Sequence, residues 1–352
     1  MSMRSPGGRA PRPRGVSLRY LAGVVIGVAV LAALFSQRGD LRGVSHEFSH
    51  LSPAWSGASI LAELASILSF AYLQRVVLES GATTMGLGRL LAISLANNAI
   101  ANTVPGEPAV SSAYRYREYR RRGASAAAAS WTILTIIIAQ AIGLSLLVLL
   151  GVVVSLLSGS RATSTGVAVT GLVVVLAAGA VLVRRDLLIR VLEVVVQFLR
   201  RASGRPSGRL GERLVTMLQR MKEIRLGVAA TLGVVTLATL VWSLDFACLL
   251  CAFAAVHAPI PGDGVLLAYG VAQIVAVLPL VPGGIGLVEG SLAVILVAYG
   301  AARVPTLSTV LVYRFVNYWL AVAVGWLAFA ALALVPTRRG EDVTLARDTE
   351  ES

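Results

Sequence analysis

A proline-glycine break lies inside apolar sequence of membrane-spanning quality at residues 277–290, VLPLVPGGIGLVEG, and it restricts the fold more than any other stretch. Proline and glycine end helices, and a helix that ends in hydrocarbon leaves backbone groups without partners. Such a break persists only where protein or water covers it. A second break sits at residues 97–114, NNAIANTVPGEPAVSSAY, where Pro105-Gly106 stops an apolar helix beside Glu107. Two broken helices in corresponding places of two halves point to a central transport site.

The 352 residues are 56% hydrophobic and only 14% charged, where a soluble domain carries roughly a quarter charged residues. The chain therefore reads as a polytopic membrane protein. Its net charge of +13 falls between apolar runs, where the positive-inside rule accounts for it without nucleic acid. Cys248 and Cys251 share one apolar run, so they read as small hydrophobes rather than as a disulfide framework.

Residues 1–17 form an Arg-, Pro- and Gly-rich stretch, expected as a disordered basic cytoplasmic tail. Apolar runs follow at 18–35, 54–73, 89–104, 124–157, 166–183, 227–255, 265–281, 285–300 and 306–335. A crossing needs about 20 residues, and the segments beside the two breaks are shorter, as the arms of re-entrant hairpins are. With hairpins at 89–120 and 265–300, 26 basic residues lie inside, 4 outside (Arg38, Arg42, Arg161, Arg303) and Arg314 lies within a helix. The expected fold is all-α: two inverted repeats, 18–157 and 158–335, each of three transmembrane helices plus a Pro-Gly hairpin. Both termini, including the tail 336–352, are then cytoplasmic, and the membrane is the cell membrane. The basic link 184–225 has apolar positions at helical spacing and reads as an amphipathic segment on an anionic lipid surface or as a topological anchor.

Glu289 is the first site candidate, because a carboxylate at membrane depth is costly without a partner or a water-filled cavity. Arg314, in YRFVNYW, is the matching base, with Asn317 and Tyr318 able to extend a polar network. The pair is either a packing clamp or part of a gate or proton-linked site. Helices that restart after the breaks, at Glu107 and after Pro282, Gly283, Gly284 and Gly286, point N-terminal N–H groups inward, where they favour an anion such as a lipid phosphate. Glu107 serves equally as a cap there. Asn97, Asn98 and Asn102 either bind a headgroup or satisfy broken backbone. In YRYREYRRRG, residues 114–123, the aromatics and arginines read as interface anchors, with Arg115 and Arg117 also able to catch a phosphate.

Among the other polar residues in spans, Glu63, Gln140, Asp245 and Gln273, the acids Glu63 and Asp245 are the stronger functional pair. HEFSH at 46–50 fits the zinc-protease pattern, but it lies in a short external linker beside Pro53, with no domain around it to form a cleft. No metal or cofactor is expected, and the absence of a G-x-x-x-x-G-K-[ST] loop argues against direct ATP use.

Three blocks carry a resemblance: TVPGEPAVSSAYRYREYRRRGAS, LPLVPGGIGLVEGSLAVILVAYG and LVYRFVNYWLAVAVGW. Over about residues 17–335 the chain resembles the membrane region of lysylphosphatidylglycerol synthases, whose stand-alone members are called flippase-like. The resemblance implies an integral membrane protein that handles lipids. About 17 residues follow Val335, too few for the synthase domain of the bifunctional enzymes, so no aminoacyl transfer and no enzyme activity is expected. The expectation is a lipid flippase-like protein that binds membrane lipids, whether as a homo-oligomer or beside a partner synthase. The alternative is an accessory protein for a lipid or cell-envelope glycosyltransferase or synthase that transports nothing.

Overall fold

The computed structural model describes residues 44, 46–104, 109–157, 224, 226–262, 264–277 and 282–334. The expected tails, the runs 18–35 and 166–183, nearly all of the link 184–225, and Pro105, Gly106 and Glu107 lie outside them. Within them the fold is all-helical, with no strand.

The helices are α1 (Pro53–Ser80), α2 (Leu87–Thr103), α3 (Ala109–Arg121), α4 (Ala126–Leu157), α5 (Val228–Ala255), α6 (Val265–Val277), α7 (Leu287–Ala298), α8 (Arg303–Arg314) and α9 (Ala321–Leu334). A π-helical segment, Phe315–Leu320, joins α8 to α9 in one continuous rod. Among the described residues, four helical runs are long and apolar enough to cross a membrane: 53–80, 126–155, 228–255 and 303–334. These are the runs expected at 54–73, 124–157, 227–255 and 306–335.

Local signals set the ends. Pro53 opens α1, where its missing N–H costs nothing. Ser125 Oγ accepts the Ala128 N–H at 3.0 Å and caps α4. The faces of α1 are inverted relative to a soluble helix: Leu61, Leu64, Leu68 and Tyr72 are exposed, while Ser59, Glu63, Ser66 and Gln74 are buried. An apolar outside and a polar inside suit lipid as the surrounding solvent.

Helix α1 packs along α5, α9 along α2, and α4 along both α5 and α6. Small residues permit close approach. A Cβ on Gly325 of α9 would sit 2.3 Å from the Leu95 carbonyl oxygen of α2, and one on Gly143 of α4 would sit 2.8 Å from the Ala238 backbone of α5.

The short helices α6 and α7 pack on each other as the two arms of a hairpin. A Cβ on Gly264, just before α6, would lie 2.1 Å from the ring of Tyr299, just after α7. The chain thus enters and leaves this pair at one end. At the other end is the Pro282–Gly284 turn, with Gly283 at φ 64° and Gly284 at φ 62°, a left-handed conformation that glycine adopts without a Cβ penalty. Helices α2 and α3 pack similarly, and the C-terminal end of α2 meets the Pro282–Gly284 turn.

Candidate functional site

The C-terminal end of α2 touches the second break. A Cβ on Gly283 would stand 2.9 Å from the Asn102 carbonyl oxygen and 2.3 Å from Tyr318 Cε2. Asn102 is the next-to-last residue of α2, so its carbonyl has no partner further along a helix. The Tyr318 hydroxyl supplies one, donating to it at 3.1 Å. Asn102 Nδ2 turns back to the Asn98 carbonyl at 3.0 Å, which makes it a support for the broken helix end.

Arg314 ties the second break together. Its Nε donates to Glu289 Oε1 at 2.6 Å and its Nη2 to the Gly283 carbonyl at 2.9 Å, while its guanidinium lies 4.5 Å from the centre of the Tyr318 ring. Arg314 and Glu289 are both buried. The second carboxylate oxygen, Glu289 Oε2, accepts the Gly286 N–H at 2.7 Å. Gly286, at φ 83°, is the N-cap of α7 and Glu289 is its third residue, so the glutamate supplies the carboxylate half of a capping box. The anion at this helix start is therefore Glu289 itself. Gly283, Gly286, Glu289 and Arg314 are thus joined by hydrogen bonds around the Pro282–Gly284 turn.

Asn317 belongs to a neighbouring cluster. Its Nδ2 is 2.6 Å from Asp245 Oδ1 and 3.4 Å from Glu63 Oε2. Asp245 also accepts from the Tyr269 hydroxyl at 2.5 Å, from Gln273 Nε2 at 2.9 Å and from the Tyr313 hydroxyl at 3.1 Å. Gln273 Nε2 reaches Tyr313 Oη at 2.9 Å. The acids Glu63 and Asp245, on different helices, are thus brought together in a buried polar cluster. Tyr269 and Tyr313 were not singled out in the sequence. Their signal was spacing: Tyr269 and Gln273, like Tyr313 and Asn317, are four residues apart and share a helix face.

The arginine-tyrosine run on α3 divides. Arg117 and Arg120 are exposed, while Arg115, Tyr114, Glu118 and Tyr119 are buried. Tyr119 is no interface anchor: its hydroxyl donates to Gln74 Oε1 at 2.5 Å, and Gln74 in turn binds Ser94. This relay fastens α3 and α2 to α1. Glu118 pairs with Arg122 and Arg121. Cys248 is buried with its Sγ 3.1 Å from Ser59 Oγ, as a small residue between α5 and α1.

Among known families, residues 20–325 match the model described as the lysylphosphatidylglycerol synthase TM region. No curated protein matches the chain.

Proposed function

The chain belongs to the lysylphosphatidylglycerol synthase TM region family, and from that premise we propose that it translocates a lipid with an anionic or phosphate-bearing headgroup through a site where its two chain breaks meet. The family and the apolar helices make it a multi-pass membrane protein connected to lipid metabolism or translocation. Its matched family is a membrane region, not a catalytic one.

One observation carries the reading: the carbonyl ends of both breaks, at Asn102 and Gly283, are held by Tyr318 and Arg314 of a single helical rod. Broken helices in a membrane persist where they serve a polar path. In the proposed cycle a lipid phosphate takes the guanidinium face of Arg314 now bonded to the Gly283 carbonyl, since arginine's planar fork matches phosphate. Arg115 and Arg117 meet the headgroup on its way in, and Asn102 at the end of α2 lines the opposite wall.

Packing supports an inverted repeat. If α1, α2, α3 and α4 correspond to α5, α6, α7 and the α8–α9 rod, then α1 packs on its own counterpart α5. The contact of α9 with α2 then mirrors that of α4 with α6, and α2 with α3 mirrors α6 with α7. In this arrangement α2–α3 and α6–α7 are re-entrant hairpins, and the end of α2 meets the Pro282–Gly284 turn near the membrane midplane. At about 20 Å for 13 residues, α6 is too short to cross the hydrocarbon. Both termini and the link 184–225 are cytoplasmic, with the link lying on anionic lipid at the cell membrane.

The test is movement of fluorescent phosphatidylglycerol between leaflets of vesicles that contain the purified chain. Protein-dependent movement that falls several-fold in Arg314→Ala, with folding intact, is the expected result. No movement of any tested lipid would favour the accessory role beside a glycosyltransferase or synthase.

A further inference from the structure

The cluster around Asp245 neighbours the site at the second break, and among the described residues its two acids meet no basic side chain. Glu63 and Asp245 are 6% and 5% exposed, and Asn317 Nδ2 reaches Glu63 Oε2 at 3.4 Å and Asp245 Oδ1 at 2.6 Å, which brings both carboxyl groups to one amide nitrogen between α1 and α5. The groups that face them are Ser59 from α1, Cys248 from α5, Tyr269 and Gln273 from α6, Tyr313 from α8 and Asn317 from the π-helical segment. All of these are neutral donors or thiol. Arg314, next in the chain to Tyr313, is bonded to Glu289 and Gly283. Among the described residues, no ion pair links Glu63 or Asp245 to a basic side chain.

Neutral donors orient a carboxylate but do not cancel a second negative charge beside it. Two carboxylates held at one amide nitrogen in a low-dielectric interior repel strongly unless one of them carries a proton. The protons then belong to the pair and not to either residue.

We propose that Glu63 and Asp245 form a one-proton switch at the α1–α5 interface. With the proton bound, the carboxyl pair closes the interface and Asn317 bridges both acids. When the proton departs to water, two like charges push α1 from α5 and Asn317 keeps one acid only. Falling pH closes the contact and rising pH opens it. Asn317 lies in the π-helical segment directly after Arg314, and such segments often occur at functional sites within helices. The proton is thereby linked to the residue that holds the second break. This deepens the transport reading, naming the point at which a proton gradient enters the cycle, and it rests on that reading only for its purpose.

The experiment is an infrared pH titration of the full chain in a detergent without ester groups, comparing wild type with Glu63→Gln and Asp245→Asn. Wild type is expected to show a protonated-carboxyl band at neutral pH that disappears as pH rises, and both variants to lack it. Alongside, N-ethylmaleimide labelling of Cys248 is measured in a Cys251→Ala background, since Cys248 is fully buried at the same interface. The ratio of labelling without and with Glu63→Gln, taken at each pH, is expected to rise several-fold over the interval in which the band is lost. No band in wild type, a band that survives both substitutions, or a flat labelling ratio would overturn the switch. Should Asp245→Asn fail to fold, Glu63→Gln decides alone. Vesicles in which no lipid moves would overturn the transport reading while leaving the band in place, so the two failures are distinguishable.

Discussion

Replacing Gly283 by alanine isolates the contact on which the proposed site depends. The residue sits at φ 64°, and an L-residue in left-handed backbone costs about 1–2 kcal/mol. The new Cβ would lie 2.3 Å from Tyr318 Cε2, 2.8 Å from its hydroxyl and 2.9 Å from the Asn102 carbonyl oxygen, so the tyrosine ring must move. Moving it breaks the 3.1 Å bond to Asn102, worth about 0.5–1.5 kcal/mol. It also takes the ring from beneath Arg314, a contact worth about 0.5–2 kcal/mol. Together these give a loss of about 2–5.5 kcal/mol. Thermal unfolding in detergent measures it against Gly88→Ala, which adds a Cβ in open space on α2 and is expected to unfold no earlier than wild type. Lipid movement in vesicles is expected to fall with Gly283→Ala and to persist with Gly88→Ala. If Gly283→Ala unfolds at the same temperature as the control and moves lipid at the same rate, the breaks are not coupled through this contact.

Four further outcomes follow from the geometry. Arg314→Lys is expected to destabilise, because one ammonium cannot replace two guanidinium nitrogens directed at Glu289 and at the Gly283 carbonyl. Breaking the buried pair with Arg314→Ala or Glu289→Ala is expected to cost about 3–5 kcal/mol, and the double variant less than the sum; an additive double-mutant cycle would contradict the pairing. Gly325→Val puts side-chain atoms where a Cβ already meets Leu95 and Ala99, and overpacking of about 1–3 kcal/mol is expected to lower the unfolding temperature. Tyr119→Phe strands Gln74 Oε1 in the interior, at about 1–3 kcal/mol, and is expected to loosen α3 more than α5 in hydrogen exchange.

The long apolar runs and the two breaks were legible because lipid imposes length and backbone satisfaction directly on sequence. The Glu289–Arg314 pair was legible for a related reason: each is costly alone at membrane depth, and each had few possible partners. What Glu289 does was less legible. Its spacing from Gly286 fits a capping box as well as an open anion site, and only the position of its two oxygens separates them. Tyr114 and Tyr119 read as interface residues because they sit among arginines, yet α3 turns them inward onto α9 and α1. Spacing fixes which residues share a face, but not which helix that face meets. The same limit left Glu63 and Asp245 unpaired until α1 was seen beside α5.

The proposed site requires that α6 and α7 form a hairpin that returns to the side of the membrane from which it entered. Single cysteines at Gly262 and Ala302, just outside the hairpin and both exposed, test it in a Cys248→Ala, Cys251→Ala background in intact cells with a membrane-impermeant maleimide. Labelling of both positions from the same side is predicted. Labelling from opposite sides would make 265–300 a crossing and contradict the inverted hairpins together with the site built on them.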